Sequence, residues 1–417
     1  MRLLIKNARV FTARSDSGWK NEIFDPGFIL CENANILKVG TEDSFKAEKT
    51  DKVVDADGAL VTPGFVDCHT HPLFFNHRAN EFEMRIAGAS YVDIAKAGGG
   101  IKFSVRDLRK ASSEQLLRAC LQRLDRFLAF GTTTIEAKSG YGLSVEDEIR
   151  SLETIRVANE SHPVDLVPTF LGAHEVPDEF QGRKNEYIAH VIEEMLPRVA
   201  EGNLAQFIDV FCENHVFSAE ESLRILEAGR ASGLRPKIHA DQLTNSDGAK
   251  VASEVGAVSA DHLEHTPAEV DELLLDANVT PVMLPGADFF LNSQTYGPAR
   301  RMIEAGLNVA VATDFNPGTC MSESMQMMLT LSCLKLKMTP VEAIIAATLN
   351  ASKAIARDDK IGSLEAGKKA DIVIWEAKHE AELPYHFGVN LVNEVYKNGK
   401  LAFRKKAMNE LANEYEL

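Results

Sequence analysis

The feature that most constrains this 417-residue chain is a series of eight short apolar runs, each separated from the next by a longer segment. The runs are GFVDCHTH, GTTTIEAK, VDLVPTFLGAHE, FIDVFCEN, RPKIHADQ, AVSADHLE, VTPVMLP and NVAVATD, the last ending at Asp314. Segments between them, such as EQLLRACLQRLDRFLAF and AEESLRILEAGRA, repeat their apolar residues at helical spacing. That alternation predicts parallel strands with crossover helices, and eight strands close a (β/α)8, TIM-like barrel of the α/β class. A doubly wound open sheet is the competing arrangement, and the strand count weighs against it. Nearly every run is apolar at first and ends in residues able to do chemistry: His69 and His71, Glu136 and Lys138, His174, Glu213, His239, His262 and Asp314. In a barrel those ends share the face that carries the active site.

The two ends of the chain differ from its middle. Residues 1–63 read as short strands punctuated by Gly, Asn and Asp, and the same β character returns in GSLEAGKKADIVIWE and NLVNEVYKNGKLAF. Residues 1–63 and 362–417 are therefore expected to form one composite β-sandwich domain beside a barrel domain spanning 64–361. A chain this long exceeds what one core usually organises, which suits such a division.

Composition excludes several partners. The balance of 45 Lys+Arg against 61 Asp+Glu, a net charge of -16, repels polyphosphate backbones, so no nucleic acid is expected. It does not exclude an anionic small substrate, because one local arginine outweighs a distant, screened field. No apolar stretch approaches the roughly 20 residues that span a bilayer, and the opening MRLLIKNARVFT alternates like a strand instead of resembling a leader. A soluble cytoplasmic protein with no membrane partner is expected. The six cysteines show no CxxC pair, which predicts reduced, mostly buried thiols.

His69-x-His71 is the sharpest local signal, because residues two apart on a strand point to the same side. His239 and Asp314 close later runs. Three imidazoles and one carboxylate suit a borderline divalent ion such as zinc, and iron accepts the same set. A metal in such a site lowers the pKa of bound water to about 7 and polarises a carbonyl, so hydrolysis is its natural chemistry. His262, ending the next run, is placed to hydrogen-bond a developing oxyanion.

PGFVDCHTHP after a β-rich leader, then KIHADQ, SADHLEH, TDFNPGT, TLNASKAI and GSLEAGKKADIVIW, resemble the amidohydrolase superfamily over essentially the whole chain. Within it, HTHPLFFNHRANEFEMRIAG, YVDIAKAGGGI, EAKSGYGL, TFLGAHEVP and TDFNPGTC are similar to the branch that opens an imidazolone ring bearing a propanoate. The resemblance implies hydrolysis of 4-imidazolone-5-propanoate to N-formimidoyl-L-glutamate by a single metal ion, with His69, His71, His239 and Asp314 as ligands. It also implies that Arg78 forks onto the propanoate carboxylate, and that Tyr141, His174, Asn316, Gly318 and Thr319 contact substrate or product. One residue departs from the pattern: relatives often place a glutamate three positions after the third histidine, where this chain has Gln242. An amide cannot act as a base, so Gln242 is expected to orient substrate while Asp314, assisted by His262, moves protons. Loss of that glutamate weighs against a ring deaminase, the nearest enzymatic alternative, and the filled ligand positions weigh against a non-catalytic scaffold. Lys138 ends the second run, not the fourth where some barrel hydrolases carry a metal-bridging lysine, which supports one metal. A homodimer is the default expectation from the frequency of twofold assemblies.

Overall fold

The computed structural model describes residues 1–406 except 15, 17, 47, 48, 90–92, 95 and 96. Part of the YVDIAKAGGGI stretch and the final residues, 407–417, of the expected β domain therefore lie outside the described residues. Strands β1 (Arg2–Phe11), β2 (Ile23–Glu32), β3 (Asn35–Thr41), β4 (Lys52–Asp55) and β5 (Leu60–Pro63) come first. There follow β6 (Phe65–Asp67), β7 (Thr132–Lys138), β8 (Asp165–Ala173), β9 (Phe207–Cys212), β10 (Arg235–Ala240), β11 (Ser259–His262), β12 (Thr280–Met283) and β13 (Ala310–Val311). Last come β14 (Ile372–Trp375), β15 (Val392–Lys397) and β16 (Lys400–Arg404).

Each of the eight apolar runs contains one strand, and β6 to β13 pair in chain order, every neighbour parallel. Such strands are covered on both faces, which is why β7 is buried at every position and opens with TTTI. The covering helices show how sequence sets their faces. Helix Ser113–Ala129 starts at a capping box between Ser112 and Gln115 and buries Leu116, Cys120, Leu124 and Phe127 along one stripe. Helix Ala219–Ala231 starts the same way, with Ser218 and Glu221.

The barrel closes just beyond the ends of β6 and β13. Thr70 bridges Phe315 in parallel, the His71 N–H donates to the Phe315 carbonyl at 2.9 Å, and the Asp314 N–H donates to the His69 carbonyl at 3.1 Å. Asp67 completes the seam by accepting the Thr313 N–H at 3.0 Å and its hydroxyl at 2.6 Å. The run NVAVATD yields only a two-residue strand: the Ala312 N–H still donates to the Met283 carbonyl of β12 at 3.1 Å, but the Asp67 side chain takes the next amide, that of Thr313.

Both chain ends share a second sheet, ordered β16-β15-β14-β5-β1-β2-β3, with β4 also on β1. Strand β14 pairs antiparallel with β5, and register shifts bend the sheet over an apolar core that includes Ile5, Val10, Ile29, Ile372 and Tyr396, in the manner of a β-sandwich. Gly64 alone separates β5 from β6. Trp375 from the second sheet packs on Phe65 of the barrel at 5.3 Å and donates to the Thr62 hydroxyl at 2.9 Å. Five cysteines are buried, Cys333 is half-buried, and none forms a disulfide. Among the described residues no helix is long and apolar enough to cross a membrane.

Gly131 ends the loop into β7 at φ +90°, and an added Cβ would lie 3.2 Å from Trp375 and 3.3 Å from Val392. Gly131→Ala combines left-handed strain with crowding of this junction and is expected to cost about 1–3 kcal/mol of stability, read from the urea midpoint.

Candidate active site

His69 and His71 follow β6, His239 lies on β10, Asp314 follows β13, and all four are buried. The Nε2 atoms of His69 and His71 are 3.4 Å apart, as are those of His71 and His239. Asp314 Oδ1 lies 3.5 Å from Nε2 of His69 and 3.6 Å from Nε2 of His71. Four donors around a zinc-sized ion at about 2.1 Å would stand roughly 3.4 Å from one another. The other ring nitrogens settle which atoms are bare. His69 Nδ1 is 2.6 Å from Asp261 Oδ2 and His239 Nδ1 is 3.1 Å from Asp209 Oδ1. An ionised carboxylate only accepts, so each Nδ1 donates and each facing Nε2 presents a lone pair. Lone pairs converging at this distance repel unless a cation lies among them, so the donor set fits a metal ion.

Protonation agrees. Burial, reinforced by the charge of Lys138, drives His69 well below the usual histidine value, and burial with neighbouring His174 does the same to His71. Neutral imidazole is the ligating form. Burial pushes the Asp314 carboxyl up, and the Thr319 hydroxyl donates to its Oδ2 at 3.2 Å, leaving Oδ1 toward the histidines.

Beneath the histidines lies a lattice of charges with no solvent exposure. Lys138 Nζ is 2.6 Å from Asp209 and 3.0 Å from Glu136, and Lys237 Nζ is 2.7 Å from Glu136. Asp261 lies 3.7 Å from Lys138 and 3.8 Å from Lys237. Three carboxylates against two ammoniums leave one net negative charge under the histidines, which favours a cation above. Burial opposes ionisation of Asp209, but His239 and Lys138 outweigh it and hold the carboxyl well below its usual range. A second donor group, His69, Glu136 and Asp261, is also close enough to hold a metal, but the lysine ammoniums already pair its carboxylates. Asp209, Lys237 and Asp261 escape a reading of strand ends because they sit inside apolar runs. The available signal was the charge itself in FIDVF, PKIH and SADH.

One cavity above the donors is lined by Arg78, Tyr141, His174, Gln242, His262, Asn316 and Thr319 together with His71, His239 and Asp314. His174 donates from Nδ1 to the Gly140 carbonyl at 2.8 Å and stacks on His71 at 5.1 Å, and burial lowers its pKa to about 3. Glu148 holds the Tyr141 loop by accepting the N–H groups of Gly140, Gly142 and Leu143. Gln242 is half-buried and makes no side-chain hydrogen bond among the described residues. Glu213 pins its loop through the Leu243 N–H at 2.8 Å. Asp241 faces away, accepting from Ser246, Gly248 and Thr266. Asn316 spends its side chain on the turn, donating to the Asp314 carbonyl and Thr319 hydroxyl and accepting the Gly318 and Thr319 amides. Gly318 does not line this cavity; it lies against Arg78, whose guanidinium is bound by Glu81.

His262 and Leu263 hold φ values of +83° and +73°, strained positions that recur at functional sites. Burial lowers the His262 pKa to about 4, and its Nδ1 lies 3.5 Å from Glu264. Glu264 in turn contacts Asp288, and burial raises these carboxyls to about 8 and about 9. Folded-state values above the unfolded ones mean that the folded protein binds more protons over the interval. Their stabilising contribution is therefore present below about pH 4 and lost as pH rises through 8 to 9. Asp288→Asn is expected to flatten the fall in urea midpoint across that window; an unchanged slope would sink the assignment. Asp209→Asn removes the acceptor that orients His239 and is expected to weaken metal binding by about 10–100-fold in a chelator competition.

The family model described as the amidohydrolase family matches residues 60–402. A protein of Geobacillus kaustophilus named imidazolonepropionase is 47% identical over 384 residues, covering 91% of this chain and 90% of its own. Another so named, from Alkaliphilus metalliredigens, is 45% identical over 386 residues, 92% of each. Among solved structures, a triazine hydrolase aligns with TM-score 0.77 at 15% identity over 99% of this chain and 98% of its own. A 5-methylcytosine deaminase from Klebsiella pneumoniae aligns with TM-score 0.75 at 16% identity over 98% of both. At such identities the solved structures speak for the fold alone.

Proposed function

The chain belongs to the amidohydrolase family, and from that premise we propose that it is a metal-dependent hydrolase that opens the ring of 4-imidazolone-5-propanoate to N-formimidoyl-L-glutamate in histidine degradation. The observation that carries the reading is the convergence of three imidazole Nε2 atoms and Asp314 Oδ1 at the floor of a cavity whose wall holds the Arg78 guanidinium. The relatives named imidazolonepropionase support the substrate.

His69, His71, His239 and Asp314 would hold one zinc or iron ion, which when bound supplies Lewis acidity and an activated water. Asp314 accepts the proton of the attacking water, while His262 hydrogen-bonds the oxygen of the ring carbonyl as negative charge develops there. The ring C–N bond then breaks, and the amidine nitrogen leaves with the proton that Asp314 returns. Gln242 orients the ring through its amide, since it cannot act as a base. Tyr141 and His174 close over the ring, and Arg78 fixes the propanoate, with Asn316, Gly318 and Thr319 shaping the adjoining turn. The barrel, residues 64–361, carries this chemistry, and residues 1–63 with 362–417 form the composite β domain beside it. The reading includes a cytoplasmic homodimer.

Metal-quantified protein incubated with imidazolonepropanoate is expected to bleach the ring chromophore and yield formimidoylglutamate without ammonia, and chelation should abolish turnover until metal is restored. Ammonia release would instead indicate a ring deaminase. His262→Asn is expected to lower kcat by about 10²–10³-fold, the usual cost of losing an oxyanion donor.

A further inference from the structure

The guanidinium of Arg78 is held in place by protein contacts alone. The residue occupies the N-cap position of helix Ala79–Ile86, with Glu81 in the first turn. Arg78 Nε donates to Glu81 Oε1 at 2.8 Å and Nη2 donates to Oε2 at 2.6 Å, both side chains being more than nine-tenths buried. Glu81 is fixed in turn by the Gly100 N–H, 3.0 Å from Oε1. A Cβ on Gly99 would come within 2.8 Å of that same oxygen, so the glycine run wraps the carboxylate as side chains could not. One face of the guanidinium rests on Gly318, where a Cβ would lie 2.5 Å from Nη1 and 2.7 Å from Cζ.

These contacts use one edge and one face. The remaining edge, formed by Nη1 and the second N–H of Nη2, has no protein acceptor among the described residues, and Arg78 borders both the metal-site cavity and an outer one. Two parallel N–H groups on a planar fork match the two oxygens of a carboxylate. Glu81 neutralises Arg78, but Arg85, which donates to the Gly318 carbonyl at 2.9 Å and also borders the outer cavity, restores one net positive charge to the trio.

We propose that Glu81 is a positioning residue that selects carboxylate-bearing substrates by presenting the Nη1–Nη2 edge of Arg78 end-on to the cavity. The inference rests on the reading that a carboxylate-bearing imidazolone is the substrate. Glu81 touches no reacting atom. It keeps the arginine from swinging its side edge toward solvent or toward the metal ligands, so the substrate's carboxylate and its ring are set at a fixed separation. A lysine at position 78 could not use such a clamp, having no second edge to offer.

The test uses the metal-loaded enzyme and two stable probes, imidazole-4-propanoate and imidazole-4-propanamide, with binding read by calorimetry and turnover of imidazolonepropanoate measured alongside. Wild type should prefer the propanoate. Glu81→Gln should weaken propanoate binding and raise KM by about 10–100-fold, the range for losing an oriented charge-assisted pair. Its propanamide affinity should be unchanged and its kcat should stay within about threefold. Gly318→Ala, which displaces the same guanidinium without altering charge, should repeat the selective loss. In an Arg78→Lys background the Glu81→Gln effect should vanish. Equal loss for both probes, a fall in kcat at constant KM, or a wild type without preference for the propanoate would each overturn the proposal. Clamp-dependent propanoate binding without imidazolone turnover would leave it standing and remove the hydrolase assignment instead.

Discussion

The seam between the first and last barrel strands is the contact on which the rest of the molecule depends. Asp67 takes both donors of Thr313, and Thr70 bridges Phe315, so the chain just after β6 is stitched to the chain just after β13. These are the segments that carry the His69–His71 pair on one side and Asp314 on the other, far apart in sequence. Closing the barrel and assembling the donor set are thus one event. A sheet left open at this point would keep the histidine pair and lose the carboxylate opposite it.

The seam alone would gather neutral rings with no reason to point inward. Orientation comes from the buried carboxylates of Asp209 and Asp261, each of which takes a histidine Nδ1 and turns the opposite nitrogen toward the centre. Placing five fully buried charges under a site is expensive in desolvation, and isolated pairs of this kind often fail to repay it. Here the cost is offset because every member is paired and because the residual negative charge complements a cation. The lattice belongs to the binding of that ion as much as to the fold.

Rigid and adaptable parts are divided along the same line. Metal donors stand on or beside strands whose amides are committed to the barrel, whereas Arg78, Tyr141, Gln242 and Asn316 stand on loops. Three of those loops are tied down by a buried acid, Glu81 for Arg78, Glu148 for the Tyr141 loop and Glu213 for the segment after Gln242, and the fourth by the amide of Asn316 itself. A net charge of -16 is therefore partly an internal framework of acceptors for backbone amides and basic side chains. Glu213 ends an apolar run but Glu81 and Glu148 show no such pattern, and the partners of all three are fixed only after folding.

Periodicity alone determined the eight parallel strands, because a strand buried on both faces reads as a mainly apolar run and a crossover helix must be apolar on one stripe. The position of chemistry at strand ends, the histidine pair and Asp314 were equally legible, since their spacing is local or terminal to a run. The sequence of one chain does not reveal which carboxylate meets which imidazole, that Lys138 and Lys237 lie in the interior, that Asn316 is consumed by its own turn, or that Arg78 is clamped by Glu81. Those outcomes depend on registers between strands far apart in sequence and on which side of a loop faces the barrel axis. Only the closed tertiary structure decided them, because hydrogen bonds and charge pairing act over a few ångströms in space and carry no trace of the distance along the chain.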